Sequence, residues 1–208
     1  MNYKQIPIFP LAIVIFPNSK YPLHIFEERY KKLIKKCLAE KTGFGIVSAI
    51  GKTITDVGVY VTIENVLTTY ESGELDIIVK GIFRFKRIDF RLHPDGYHLS
   101  EVEKLEDTDS GFDPVLFTEL KDRVKEMLKL ANYDLNTSFW DILEKTKTKS
   151  FKIAEKSGLS INQQQELLTI QSENSRLNYL LDHFNKLEER LESNRMMREI
   201  ILGDGFIN

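Results

Sequence analysis

The chain has 208 residues, 42% hydrophobic and 29% charged, with 29 Lys and Arg against 31 Asp and Glu. That length fits one large domain or two small ones with a real core, and a formal net charge of -2 gives no global electrostatic case for nucleic acid or an anionic membrane. A single cysteine forms no intrachain disulfide; with no signal-peptide pattern and no apolar run near ~20 residues, a cytoplasmic, membrane-free location is expected.

Prolines punctuate the opening and disfavour helix in the residue before each. Ile8 and Phe9 read as one short extended segment and residues 11–16 as another, while Pro22 and Leu23 lead into a helix. Its apolar face is Phe26, Tyr30, Leu33, Ile34, Cys37 and Leu38, at helical spacing. Cys37 on that face reads as a core thiol rather than a reactive one.

Strands follow. Residues 44–47 are apolar after Gly43, and Val57, Val59, Val61, Ile63 and Val66 nearly alternate with polar neighbours. Glu71-Ser72-Gly73-Glu74 is a turn signal, and the returning run 75–80 makes a hairpin. Gly81 interrupts; residues 83–90 resume the alternation with a slip near Lys86 and Arg87 that reads as a bulge. A turn at 94–96 precedes a last strand at 97–102. Short strands at this spacing predict a small barrel, whose closure removes exposed edges.

Lys80, Arg84, Lys86, Arg87 and Arg91 interleave with Phe83, Phe85 and Phe90. Two readings stand: a cationic aromatic face for nucleic acid, or a strand with aromatics inside and charge in solvent. The second is favoured, because acidic neighbours offset the cluster.

The acidic stretch 106–111 marks a boundary, after which helices take over. Asp113 and Pro114 suit a helix cap and first position, followed by a face of Leu116, Leu120, Val124, Met127, Leu128 and Ala131. Thr137 or Ser138 caps a second helix, whose weak middle at 145–150 predicts an interruption. Ser160 with Gln163 is a capping-box pattern. Ser172 opens the last helix, with Leu177, Leu180, Leu181, Phe184, Leu187 and Leu191 as its stripe. The final residues, 196–208, read as an ordered tail or a docking segment.

Catalytic signatures are absent. There is no phosphate-binding Gly-rich loop with Lys, no dinucleotide fingerprint and no nucleophile elbow. His24, His93, His98 and His183 lack ligand spacing, so no metal or cofactor is expected.

Three stretches carry a resemblance. Ile6-Pro7-Ile8-Phe9-Pro10-Leu11, then Phe16-Pro17, then Pro22-Leu23-His24-Ile25-Phe26-Glu27-Glu28-Arg29-Tyr30 resembles the opening of the N-terminal, substrate-binding domain of Lon proteases. Val79-Lys80-Gly81-Ile82-Phe83-Arg84-Phe85 resembles a strand of that family, and Ser175-Arg176-Leu177 with Leu180-Leu181 resembles its helical end, with Ser175 where glutamate is usual.

The resemblance implies an α+β fold: a β-rich, PUA-like pseudo-barrel lobe with one packed helix, over 1–105, then an all-α lobe over 112–202. It also implies a stand-alone member without ATPase or peptidase domains, hence no enzyme. The function implied is a non-catalytic module recognising unfolded or tagged polypeptide through an apolar groove. RNA binding and a scaffold or adaptor role, with self-association through the helical lobe or the tail, are the alternatives. Pro10, Phe16, Pro17, Pro22, Phe26, Glu27, Arg29 and Tyr30 form the structural motif of the resemblance, and of these Glu27, Arg29 and Tyr30 are expected to fix the helix against the sheet. Lys80, Arg84, Lys86 and Arg87 mark the alternative nucleic-acid face.

Overall fold

The computed structural model describes residues 5–108 and 111–203. Its elements are β1 (Ile6–Leu11), β2 (Lys20–Ile25), α1 (Glu28–Glu40), β3 (Phe44–Ile50), β4 (Thr53–Thr69), β5 (Leu75–Arg87), β6 (Arg91–Leu92), β7 (His98–Ser100), β8 (Val102–Lys104), α2 (Pro114–Leu130), α3 (Thr137–Lys145), α4 (Lys149–Ala154), α5 (Ile161–Thr169) and α6 (Glu173–Gly203). The protein is α+β, as the sequence predicts. Contacts divide it into two compact units. One combines the residues up to 108 with 159–171, and the other combines 111–158 with the residues from 172 onward.

In the first unit the strands run β2-β5-β4-β3-β1-β7-β6, with β8 on β5. β1 pairs parallel to β3, and the other pairs are antiparallel. β7 and β8 are consecutive across Glu101, yet β7 lies on β1 and β8 on β5. That one segment therefore closes the sheet on itself, leaving fewer open edges. Ile6, Ile8, Val47, Tyr60 and Phe85 fill the middle.

The opening differs from expectation. Residues 12–19 form no strand; they turn, with Asn18 at φ +67°, and lie against β5. The Asn18 N–H donates to Gly81 O at 2.8 Å, and the Gly81 N–H to Ser19 O at 2.9 Å. A Cβ at position 81 would sit 2.2 Å from Phe16 O, so only glycine admits this approach. Pro22 belongs to β2, opposite Ile78, rather than to a helix entrance. β2 ends the strand order, where a missing N–H is tolerated.

β5 also runs through Gly81 unbroken. Tyr60 pairs with Phe83 and Val61 with Gly81, so Ile82 is the extra residue. The bulge falls there and not at Lys86 and Arg87, whose register is regular. The predicted hairpin forms: the Tyr70 N–H donates to Glu74 O at 3.0 Å, with Gly73 at φ +80°.

α1 buries Tyr30, Leu33, Ile34 and Cys37 as predicted, but Leu38 is exposed and Phe26 precedes the helix. Lys31 is buried too, its Nζ reaching Ser72 O at 3.0 Å and Glu28 Oε1 at 2.9 Å.

α5, expected within the 112–202 bundle, packs instead on β3 and β4. Ser48 Oγ donates to Gln165 Oε1 at 2.9 Å, and Gln165 Nε2 to Val57 O at 3.0 Å. Both halves of the Ser160–Gln163 capping box are present.

In the second unit, Asp113 Oδ1 accepts from the N–H groups of Val115 and Leu116, and Pro114 opens α2. The buried face is Phe117, Leu120 and Val124, one residue round from the predicted Leu116. Asn136, not Thr137 or Ser138, caps α3, because its Oδ1 reaches the Phe139 N–H at 3.0 Å. The predicted interruption separates α3 from α4. There Lys149 Nζ donates to the carbonyls of Leu143, Glu144 and Thr146, which lack helical partners.

Leu177, Leu180 and Phe184 of α6 are buried, and α6 packs on α2 and α4. Arg176 is wholly buried; its Nε donates to Ser150 Oγ at 2.9 Å and its Nη2 to Glu173 Oε2 at 2.7 Å. Glu173 in turn accepts the Ser150 N–H in the first turn of α4 at 2.8 Å. Of the predicted tail at 196–208, the helical backbone continues to Gly203, and 204–208 lie outside the described residues.

Candidate functional site

A groove of about 400 Å³ opens within the first unit where β1 ends and β2 hands over to α1. Phe9, Pro10 and Leu11 form one wall; His24 to Glu27, Arg29 and Tyr30 form another; Ile54 and His98 complete it.

Part of its lining is a buried aromatic stack. Phe9 stacks on Tyr30 with ring centroids 3.7 Å apart and 19° between planes, both rings buried. Phe44 adds a tilted contact to Phe9 at 6.1 Å.

The rim is where local helix rules fail. Glu27 is the N-cap of α1, but its side chain accepts no capping hydrogen bond, whereas Ser, Thr, Asp or Asn there would. Its Oε2 instead accepts from Arg29, Nε at 2.9 Å and Nη2 at 2.7 Å, and the Arg29 guanidinium lies over the Tyr30 ring at 4.7 Å. Phe26, just before the cap, would normally staple onto the fourth helical residue. That residue is Lys31, which reaches away to Ser72. Phe26 is left 59% exposed.

Two histidines line the groove. His24 lies 6.0 Å from Phe26, and its Nδ1 is 2.7 Å from Asp76 Oδ1. Tyr70 Oη donates to the other Asp76 oxygen at 2.7 Å. These partners, the tyrosine hydroxyl first, hold the Asp76 carboxyl below its usual range. His98 stacks on Phe90 at 3.9 Å, and its buried Nδ1 has no hydrogen-bond partner. Burial lowers its pKa, and the Arg29 and Arg87 charges lower it further.

Of the motif residues, the structure gathers Pro10, Phe26, Glu27, Arg29 and Tyr30 around this groove. Phe16 is buried and Pro17 half-buried in the turn against Gly81, and Pro22 is exposed on β2. Of Glu27, Arg29 and Tyr30, only Tyr30 is buried, stacked on Phe9 of β1, while Glu27 and Arg29 pair with each other. Phe26 points out of the core.

The basic cluster does not form one face. Arg84 is only 4% exposed; its Nη1 donates to Leu168 O at 2.6 Å and Ile170 O at 2.7 Å, and its Nη2 to Asp107. Arg87 pairs with Asp56 at 2.7 Å and lies over Phe90 at 4.7 Å. Arg91 pairs with Asp89 and Glu101. Lys80 and Lys86 stand outside those pairs.

His93 stacks on Tyr97 at 4.3 Å while His98 stacks on Phe90. Among the described residues no group of three His, Cys, Asp or Glu side chains could hold a metal ion. No described helix is long and apolar enough to cross a membrane. Cys37 is buried, and desolvation pushes its thiol up to about 11.

With this geometry in view, the comparisons with known proteins agree. Two solved structures share the fold. A Lon N-terminal domain protein from Xanthomonas campestris is 26% identical, with a TM-score of 0.67 over 86% of this chain and 97% of that one. The N-terminal domain of the Mycobacterium avium complex Lon protease matches at 17% identity and a TM-score of 0.65, over 88% and 98%. The family model described as the ATP-dependent protease La (LON) substrate-binding domain matches residues 5–186. That match spans most of the chain, which therefore belongs to the Lon substrate-binding domain family.

Proposed function

We propose that the chain is a non-catalytic binding module that takes apolar segments of unfolded or tagged polypeptide into the Phe26 groove. One observation carries this: a phenylalanine 59% exposed in a groove that a stacked aromatic pair also lines, with no role in capping its own helix. An apolar ring left in water next to a concave surface is what a hot-spot contact needs. The family is that of a substrate-binding domain, which supports the same reading.

The test is fluorescence anisotropy with labelled, reduced and carboxymethylated lactalbumin as a permanently unfolded probe. The wild-type chain binds it saturably. Phe26→Ala weakens binding by about tenfold, the scale of one lost hot spot, with an unchanged melting curve. Equal affinity for the variant sinks the assignment of this groove. The RNA reading has less support, since Arg84, Arg87 and Arg91 are engaged within the unit. Charge reversal at exposed Lys86 that abolishes a salt-dependent RNA affinity would restore it.

A further inference from the structure

The second unit holds a groove of its own, built by the end of α2 and the start of α3. α2 stops in a Schellman turn. The Tyr133 N–H donates to Leu128 O at 2.9 Å, the Asn132 N–H to Lys129 O at 3.1 Å, and Asn132 adopts φ +50°. Such a turn holds the residue two past the cap near the last helical turn. Tyr133 is thus placed beside Leu128 while its ring stays exposed.

The chain then anchors itself with buried Leu135, and Asn136 caps α3. Trp140 follows in the first turns of α3, edge-on to Phe139 with centroids 5.3 Å apart. Leu128, Tyr133 and Trp140 give the groove of about 510 Å³ its apolar surface. Its charged lining is Lys125, Lys129 and Asp134. The two lysines are four residues apart on α2 and therefore share a face. Lys125 Nζ lies 5.6 Å from the Trp140 ring centroid and 3.9 Å from Asp122 Oδ1.

We propose that this groove is a second polypeptide-binding site, selective for an apolar or aromatic residue flanked by acidic ones. The volume takes a few side chains and falls in the range of ligand sites. The aromatic pair accepts a ring or an aliphatic chain, and the paired ammonium groups meet carboxylates on either side. A nucleic-acid strand fits less well, because Asp134 faces the same space and the chain carries a formal net charge of -2. The site is independent of the Phe26 groove and stands or falls separately from it.

Trp140 is the single tryptophan of the chain, so its emission reports on this groove directly. The probe is the acetylated, amidated peptide Glu-Leu-Phe-Asp-Glu, titrated into the full chain. Binding gives a saturable change in tryptophan emission that weakens as salt rises. The double variant Lys125→Glu with Lys129→Glu loses at least roughly tenfold in affinity, through like-charge repulsion. Both lysines are exposed, so its circular dichroism and melting curve stay as in the wild type. Phe26→Ala leaves the titration unchanged.

No saturable change overturns the proposal. So does equal binding of a peptide with lysines in place of the acidic residues, wild-type affinity in the double variant, or displacement of the peptide by a uridine oligomer that binds more tightly. Loss of the signal in Phe26→Ala overturns it as well, by moving the peptide to the other groove.

Discussion

The Arg84 guanidinium donates to the carbonyl oxygen of Leu168 at 2.6 Å, across 84 residues of sequence. The same side chain serves Ile170 O and Asp107, so one buried cation satisfies the end of α5 and a carboxylate together. Removing it deletes three charge-assisted hydrogen bonds and empties a buried position. Arg84→Ala is expected to cost about 2–3 kcal/mol, the scale for losing buried hydrogen bonds made by a charged group. Urea unfolding measures this. A loss under about 1 kcal/mol would put the pair in the class of surface salt bridges.

Gly81 is a packing requirement between the 12–19 turn and β5. Gly81→Ala pushes a methyl group against Phe16 O, and the loss expected for overpacking is about 1–3 kcal/mol. Thermal unfolding of the variant checks it. A melting point equal to wild type would mean that the turn shifts aside without loss.

Cys37 is a probe of opening. Its thiol is buried and its pKa is pushed up to about 11 by desolvation, so little thiolate exists near neutral pH. Labelling by iodoacetamide should be slow in the native chain and should accelerate in step with urea-induced unfolding. Fast labelling of the native chain would show that α1 opens locally.

His98 makes stability depend on pH. Its folded pKa is lowered, chiefly by burial. The unfolded chain therefore takes up a proton near the usual 6.5, at a pH where folded His98 stays neutral. Between the folded value and 6.5 the unfolded state binds more protons, so stability rises with pH in that window. The contribution is fully present above 6.5 and is lost as pH falls toward the folded value. His98→Phe keeps the stack on Phe90 and removes this component. Urea midpoints for both proteins from neutral to mildly acidic pH test it, and parallel profiles would exclude His98 as the source.

Local signals were readable wherever short-range chemistry sets the outcome. The α1 face, the 71–74 turn, Asp113 with Pro114 and the Ser160–Gln163 box all follow from neighbours within a few residues. Phe26 was not readable, because helical spacing assigns it to the α1 face while the cap at Glu27 places it outside the helix. The alternation in β5 gave Arg84 a face but not what covers that face. Its cover is α5, recruited through Gln165 across 117 residues from Ser48, and no local pattern announces such a contact. The Phe26 groove was legible as a motif and illegible as a surface, since proline and aromatic spacing does not say which ring points into water.

The membership of α5 in the strand unit also sets an order of assembly. As the chain is synthesised, the strands through residue 104 emerge first, with Arg84 already among them. The helix that supplies carbonyls to that arginine arrives only after residues 111–158 have been made. The first unit cannot complete itself while its own sequence is leaving the ribosome. It waits, with a buried-to-be cation still hydrated, for a segment whose contacts with the strands are of long sequence separation, the kind that form slowly. A fragment ending near residue 108 would stay in that waiting state, however complete its strands.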